Sequence, residues 1–238
     1  MAHGQTGRRT GKIPSMMADN LCPVCREPDI KPFVTVGASE YLRCPSCRAV
    51  FLLPAQRLPL EEERRRYRLH RNHPDDPDYR RFLSRLAAPL LARFNDREQE
   101  GLDYGCGPGP ALAAIFREAG HRVCLYDPQF YPDKSVLDTT YDFITCTEVF
   151  EHFHHPADEL DRLRCLLRPG GWLAVMTCFQ TEDAAFAEWH YRRDPTHVVF
   201  YREDTFRYLA DSWGWECHIP ARDVALLRKP VNPISPPG

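Results

Sequence analysis

Four cysteines, Cys22, Cys25, Cys44 and Cys47, stand as two C-x2-C pairs, CPVC and CPSC, separated by eighteen residues. That spacing can bring four thiolates to one tetrahedral ion, and zinc is the ion such a soft, closed set selects. Four protein ligands leave no open position, so this zinc is expected to hold the fold together and take no part in chemistry. A second group has a harder character. Glu148, Glu151 and His152 stand in the order E-x-x-E-H within TEVFEHFHHP. Spacings of three and four residues bring such side chains to one face of a helical turn. Two carboxylates and an imidazole there form a mostly oxygen site suited to a hard or borderline divalent ion. Without an ion, His152 or His197, with Glu151 beside them, is the candidate general base. Glu151 and His152 also fit a purely structural role, capping and orienting the loop that follows.

A third group is built to hold a ligand. In GLDYGCGPGP, Gly105, Gly107 and Gly109 lie between a strand pattern and a helix pattern. Backbone stripped of side chains there can pass close to a bound molecule. The next apolar strand ends in Asp127, eighteen residues beyond Gly109, where a carboxylate can accept hydrogen bonds from both hydroxyls of an adenosine ribose. NAD and S-adenosylmethionine compete for such a site. Asp103, just before the glycines, would repel a pyrophosphate and attract a cationic, amino-bearing ligand. The G-x-G-x-G pattern also lacks the last spacing of the dinucleotide fingerprint. Both points favour S-adenosylmethionine.

The elements that must position these groups are legible in outline. At 238 residues with 43% apolar content, the chain can bury one full core and carry a small appendage. A formal charge of −2 gives no global attraction for nucleic acid, although arginines are dense between Arg57 and Arg97. Those arginines read as a solvated face or as an anion-binding surface. No apolar run suits a signal peptide or a membrane span, so the chain reads as cytoplasmic. The other six cysteines are scattered through apolar or glycine-rich segments, where free cysteine behaves as a small hydrophobe.

Residues 1–19 and 231–238 are expected to be disordered tails. Residues 20–55 are expected to form a self-contained zinc ribbon, with strands at YLR and AVFLL. Residues 56–98 form a helical connector, in which Phe82, Leu86, Leu90 and Phe94 make the core-facing stripe and Pro89 bends or shifts the second helix. From 99 to 230 the pattern alternates: LDYGC, ALAAIFREAG, HRVCLYD, YDFITCTE, a helix over 156–167, GWLAVMTCF, a helix over 205–213, then strands at 216–219 and 224–228. Such alternation indicates a Rossmann-like doubly wound α/β sheet.

Taken together, LDYGCGPG, LYD, YDFITCTEVFEHF and LRPGGWLAVMT resemble the class I S-adenosylmethionine-dependent methyltransferases over residues 100–180. The resemblance implies that Gly105, Cys106 and Gly107 hold the methionine part of the cofactor, with Asp103 beside them. It further implies that Asp127 holds the ribose and that Thr145 and Thr147 approach from the following strand. One departure stands out. Only fifteen residues separate Asp127 from Phe143, too few for the helix and third strand usual there. The third strand is therefore expected to be short or missing, and the strand holding Val123 and Leu125 to lie at or next to a sheet edge. The cysteine segment looks like the zinc ribbons that precede many bacterial methyltransferase domains. E-x-x-E-H looks like the magnesium-binding motif of ubiquinone-biosynthesis O-methyltransferases and of small-RNA terminal 2′-O-methyltransferases; in the latter a further histidine after the fifth strand completes the site, which the resemblance implies for His197 of THVVFY beside Glu148, Glu151 and His152. The expected activity is methyl transfer to an O- or N-nucleophile of a small molecule. RNA or protein methylation is the second reading, a non-catalytic S-adenosylmethionine-binding module the third, and an NAD-dependent oxidoreductase the last.

Overall fold

The computed structural model describes residues 21–68, 73–95 and 97–231. The expected N-terminal tail, 232–238 of the C-terminal one, and residues 69–72 and 96 of the connector lie outside the described residues.

Six strands make the main sheet. The strands β4 (Glu100–Tyr104), β5 (Arg122–Tyr126), β6 (Tyr141–Thr147), β7 (Leu167–Met176), β9 (Glu216–Ala221) and β10 (Val224–Arg228) lie in the order β5-β4-β6-β7-β10-β9. The first four are parallel, and β10 and β9 close the far edge as an antiparallel hairpin. Near-continuous apolar runs such as FITC in β6 are what a parallel strand covered on both faces requires. The expected edge position of Val123 and Leu125 is found in β5. Between Asp127 and β6 the described chain holds an isolated bridge, Asp127 with Tyr131, and a 3-10 turn, Lys134–Asp138. The chain passes from β5 to the opposite side of β4, so a crevice opens above the carboxyl end of β4, the usual ligand position in open α/β sheets.

Helices cover both faces. On one side α2 (Pro77–Leu91) and α3 (Ala111–Glu118) pack on β5, β6, β7 and β10 through Leu83, Leu86, Leu90, Leu112 and Phe116. Asp76 caps α2, accepting from the N–H groups of Asp78 and Tyr79, and Pro77 occupies its first turn, where a missing N–H costs nothing. The helix runs through Pro89 to Leu91. Leu83, not Phe82, is the core residue of the stripe; Phe82 lines a cavity instead. On the other side lie α4 (Pro156–Leu166) and α5 (Glu203–Trp213). Asp158 and Glu159 sit in the first turn of α4, where the helix dipole favours negative charge. Gly214 ends α5 at φ 66°, a left-handed position that suits glycine.

The N-terminal unit is less self-contained than expected. Strands β1 (Lys31–Val36), β2 (Ser39–Arg43) and β3 (Val50–Leu52) form an antiparallel sheet that is completed by β8 (Val199–Phe200) from the far end of the chain. Cys22, Val24, Tyr41, Cys44 and Phe51 share one core with Ile144, Phe150 and Leu160. Apolar burial at this boundary is continuous, so the ribbon is packed into the main core. The connector helix α1 (Leu60–Tyr67) follows. Among the described residues no helix is long and apolar enough to cross a membrane.

Candidate active site

The two cysteine pairs have the same local geometry. The N–H groups of Arg26 and Arg48 donate to the carbonyls of Cys22 and Cys44, at 2.9 and 3.0 Å. Both arginines adopt positive φ, 60° and 66°. Each C-P-x-C-R segment thus folds into the same tight knuckle. Cys22 and Cys47 lie 3.6 Å apart through sulfur, as do Cys25 and Cys44, and one sulfur from each of the four lies within 4.8 Å of the others. A tetrahedron of Zn–S bonds of about 2.3 Å has edges of about 3.8 Å, so the donors present fit zinc.

A cavity of about 850 Å³ occupies the crevice above β4. Its floor is the glycine loop and the end of β5: Asp103, Gly105, Cys106, Gly107 and Asp127 all line it. Gly105 and Gly107 have φ of 77° and 64°, conformations that other residues adopt only with strain. The Asp127 carboxylate accepts from the N–H groups of Gly107, Gln129 and Phe130, so it fastens the loop to the turn after β5 while still facing the cavity. Asp103 is buried and accepts from the Thr145 hydroxyl at 2.9 Å. Burial pushes its carboxyl up to about 6. Thr145 itself is fully buried and stands behind Asp103. Thr147 lines the cavity, and its hydroxyl is buried without a hydrogen-bond partner among the described residues.

The opposite wall carries the harder group. After β6 the chain turns sharply at Glu148, whose φ of 53° is unusual for a residue with a side chain. The 3-10 turn Phe150–His152 follows. Donor atoms of Glu151, His152 and His197 come within 4.8 Å of one another. Glu148 stands outside that convergence, although it lines the cavity; burial and the nearby Glu151 raise its carboxyl to about 8. Glu151 is fully buried and accepts from the Tyr191 hydroxyl at 2.5 Å and the Thr177 hydroxyl at 2.9 Å. His152 Nδ1 pairs with the Thr196 carbonyl at 3.0 Å and His197 Nδ1 with the Tyr191 carbonyl at 2.7 Å. A carbonyl can only accept, so both rings carry their proton on Nδ1 when neutral, which makes Nε2 the acceptor nitrogen of each. Burial lowers the pKa of His197, which favours the neutral ring.

The reading of the sequence did not foresee the roof of the cavity. Leu60, Glu63, Arg64 and Tyr67 of α1 line it. Glu63 is buried beside His154 Nε2 at 3.2 Å, and the Tyr67 ring meets His152 edge-on. Their spacing of three and four residues puts them on one helix face, but that face is polar, so apolar periodicity does not reveal it. The donors Thr177 and Tyr191 were missed as well.

Residues 76–218, well over half of the chain, match the family described as a methyltransferase domain. The chain belongs to that family. This methyltransferase is 45% identical over 38 residues to ubiquinone biosynthesis O-methyltransferase of Paraburkholderia xenovorans (strain LB400). It spans only 16% of that relative's length, and the match covers 16% of this chain. Among solved structures, magnesium protoporphyrin IX methyltransferase (ChlM) from Synechocystis PCC 6803, with bound SAH, is similar at a TM-score of 0.49 and 14% identity. That likeness covers 71% of this chain and 94% of the other. The 1,6-didemethyltoxoflavin-N1-methyltransferase of Burkholderia thailandensis gives 0.43 at 16% identity, over 84% and 99%. The methyltransferase domain of the family model thus coincides with the parallel sheet and with the glycine loop at its switch point.

Proposed function

We propose that this methyltransferase moves a methyl group from S-adenosylmethionine to an oxygen or nitrogen nucleophile of a small molecule. One observation carries the reading: the glycine loop and the rings of His152 and His197, with the buried Glu151 behind them, meet at one cavity under the α1 roof. Transfer from a sulfonium is an in-line displacement with an activated donor, so the protein must align the acceptor and remove its proton. A pocket of this size suits a cofactor and a small acceptor together. The arginines near it support this over a nucleic-acid face, because Arg64, Arg66, Arg80 and Arg85 are paired with acids.

On the donor side, Gly105, Cys106 and Gly107 would hold the methionine part, Asp127 the ribose, and Asp103 the positive charge, with Thr145 orienting Asp103 and Thr147 offering its unpartnered hydroxyl. Asp127→Ala is expected to weaken S-adenosylmethionine binding by about 1–3 kcal/mol, because a charged acceptor is lost; calorimetric titration checks it, and unchanged affinity would remove the assignment. Asp103 adds a pH dependence. Its folded pKa of about 6 lies above the ordinary carboxylate value of 3.8, so in the empty enzyme ionising it costs roughly 3 kcal/mol of stability as pH rises from about 4 to 6. A bound cation favours the ionised form. Affinity for S-adenosylmethionine is therefore expected to rise with pH through about 6 and level off above it, and Asp103→Asn should flatten that rise. A rise of equal size in the variant would show that another group is responsible.

On the acceptor side, Glu151, His152 and His197 would hold a divalent ion, which when bound lowers the pKa of a hydroxyl or of vicinal hydroxyls. The carbonyl partners of both Nδ1 atoms support this, since ligating histidines are commonly oriented in this way. A second reading has its own observation. Both oxygens of Glu151 are engaged by Tyr191 and Thr177, which favours a structural carboxylate with His197 or His152 as an ion-free general base. Labelled methyl transfer to a panel of vicinal diols, phenols and amines, with magnesium or manganese removed and restored at constant zinc content, separates the two. Ion-dependent transfer is expected; transfer indifferent to the ion would leave the histidine base.

A further inference from the structure

None of residues 21–59 lines the cavity, yet the ribbon touches both loops that form its acceptor wall. Strand β3 pairs with β8, Val50 opposite Phe200 and Phe51 opposite Val199. Just before β8, the N–H of Leu52 donates to the carbonyl of Val198 at 2.9 Å, and the N–H of Val198 donates to the carbonyl of Glu151 at 2.8 Å. The residue that follows His197 is therefore held between the ribbon and Glu151 by its own peptide groups. The first knuckle grips the other loop. The Pro23 carbonyl accepts from the N–H of Ala157 in the first turn of α4 at 2.9 Å, and Arg26 pairs with Asp158 and Asp161 at 2.9 and 2.6 Å. That turn begins four residues after His152. Between the two contacts, the fully buried Tyr201 donates to the Phe150 carbonyl at 3.1 Å.

We infer that the zinc ribbon is the positioning element of the acceptor wall: its closed cysteine site fixes β3 and the first knuckle, and these clamp His197, Glu151 and His152 into register without touching the acceptor. A substrate-docking ribbon would present side chains to the cavity, and this one presents none among the described residues. The inference rests on the assignment of these three residues to the acceptor side. Backbone pairing through Leu52 has a mechanical consequence: the histidine geometry should fail when the ribbon loosens, while the donor half on β4 and β5 stays intact.

The test compares full-length zinc-loaded protein with zinc-extracted protein and with Leu52→Pro, which keeps all four cysteines and removes one N–H donor. Imidazole nitrogen NMR reports the tautomers of His152 and His197, manganese titration by EPR reports the ion site, and S-adenosylmethionine titration reports the donor half. The zinc-loaded chain should hold about one zinc and show Nδ1–H tautomers at both rings. Zinc extraction and Leu52→Pro should each mix the tautomers and weaken manganese binding at least tenfold, with S-adenosylmethionine affinity changed less than twofold. Should Leu52→Pro fail to bind S-adenosylmethionine, zinc extraction in the presence of the cofactor decides alone. Unchanged tautomers after zinc loss, or donor affinity falling in step with them, would overturn the inference. An intact chain that binds no manganese yet loses its tautomers with zinc would support the positioning role and remove the ion site instead.

Discussion

Replacing His197 with alanine is expected to lower methyl transfer about 100- to 10,000-fold, the range for loss of a positioned proton acceptor, while S-adenosylmethionine affinity stays within about twofold. The two readings of the acceptor wall agree on this. As a ligand, His197 offers a ring nitrogen within 4.8 Å of donor atoms of Glu151 and His152; as a general base it offers the Nε2 lone pair to the acceptor. Its Nδ1 proton is held by the Tyr191 carbonyl at 2.7 Å, so the productive tautomer is set before substrate arrives. The pH profile follows from the direction of its shift. Burial lowers its pKa below the ordinary 6.5, so the ring stays neutral, and transfer should persist, to a more acidic pH than an exposed histidine would allow. Single-turnover kinetics on the variant is the measurement. A His197→Ala enzyme with wild-type turnover and an intact pH profile would remove this residue from the mechanism.

The groups legible in the sequence were those whose chemistry is local. The knuckles are each four residues long and repeat one spacing, and the glycine loop is contiguous with β4, so neither depends on distant packing. The short interval after Asp127 likewise translated directly into an edge strand at β5, because chain length alone forbids another full strand and helix. What escaped depended on partners far away in the chain. The pairing of Val199 and Phe200 escaped, because nothing nearby announces that Val50 and Phe51 will lie opposite them. Strand β1 escaped because KPFVTV is half exposed and its apolar alternation is short. Glu63 sits in the run EEERRRY, where every local rule says solvated helix, yet it is buried with His154, from far along the chain, against its carboxylate. Glu148 shows the opposite failure. Ideal helical spacing predicted its convergence with Glu151 and His152, but the backbone turns through a left-handed residue there, which sends its side chain elsewhere.

That turn also makes Gly105 the most sensitive residue of the donor side. A Cβ at Gly105 would lie 2.5 Å from Val149 Cγ2 and 2.9 Å from Cγ1, on a backbone with φ of 77°. The left-handed backbone costs about 1–2 kcal/mol for a residue with a side chain, and overpacking costs about 1–3 kcal/mol more. Gly105→Ala is therefore expected to weaken S-adenosylmethionine binding by about 2–5 kcal/mol, roughly 30- to 5,000-fold. Because Val149 directly follows Glu148, the same displacement should push the acceptor wall away from the donor and lower turnover even at saturating cofactor. Gly107→Ala is the control: its φ of 64° is strained too, but a Cβ there meets nothing within 4 Å, so it should carry the backbone cost of about 1–2 kcal/mol alone. Val149→Ala removes both clashing methyl groups and leaves the Val149 Cβ at 3.3 Å. Gly105→Ala combined with Val149→Ala should recover the packing part of the loss and not the backbone part. Equal damage from the two glycine variants, or no recovery in the double variant, would place the whole effect in backbone strain; unchanged cofactor affinity in Gly105→Ala would show that this loop does not hold the methyl donor.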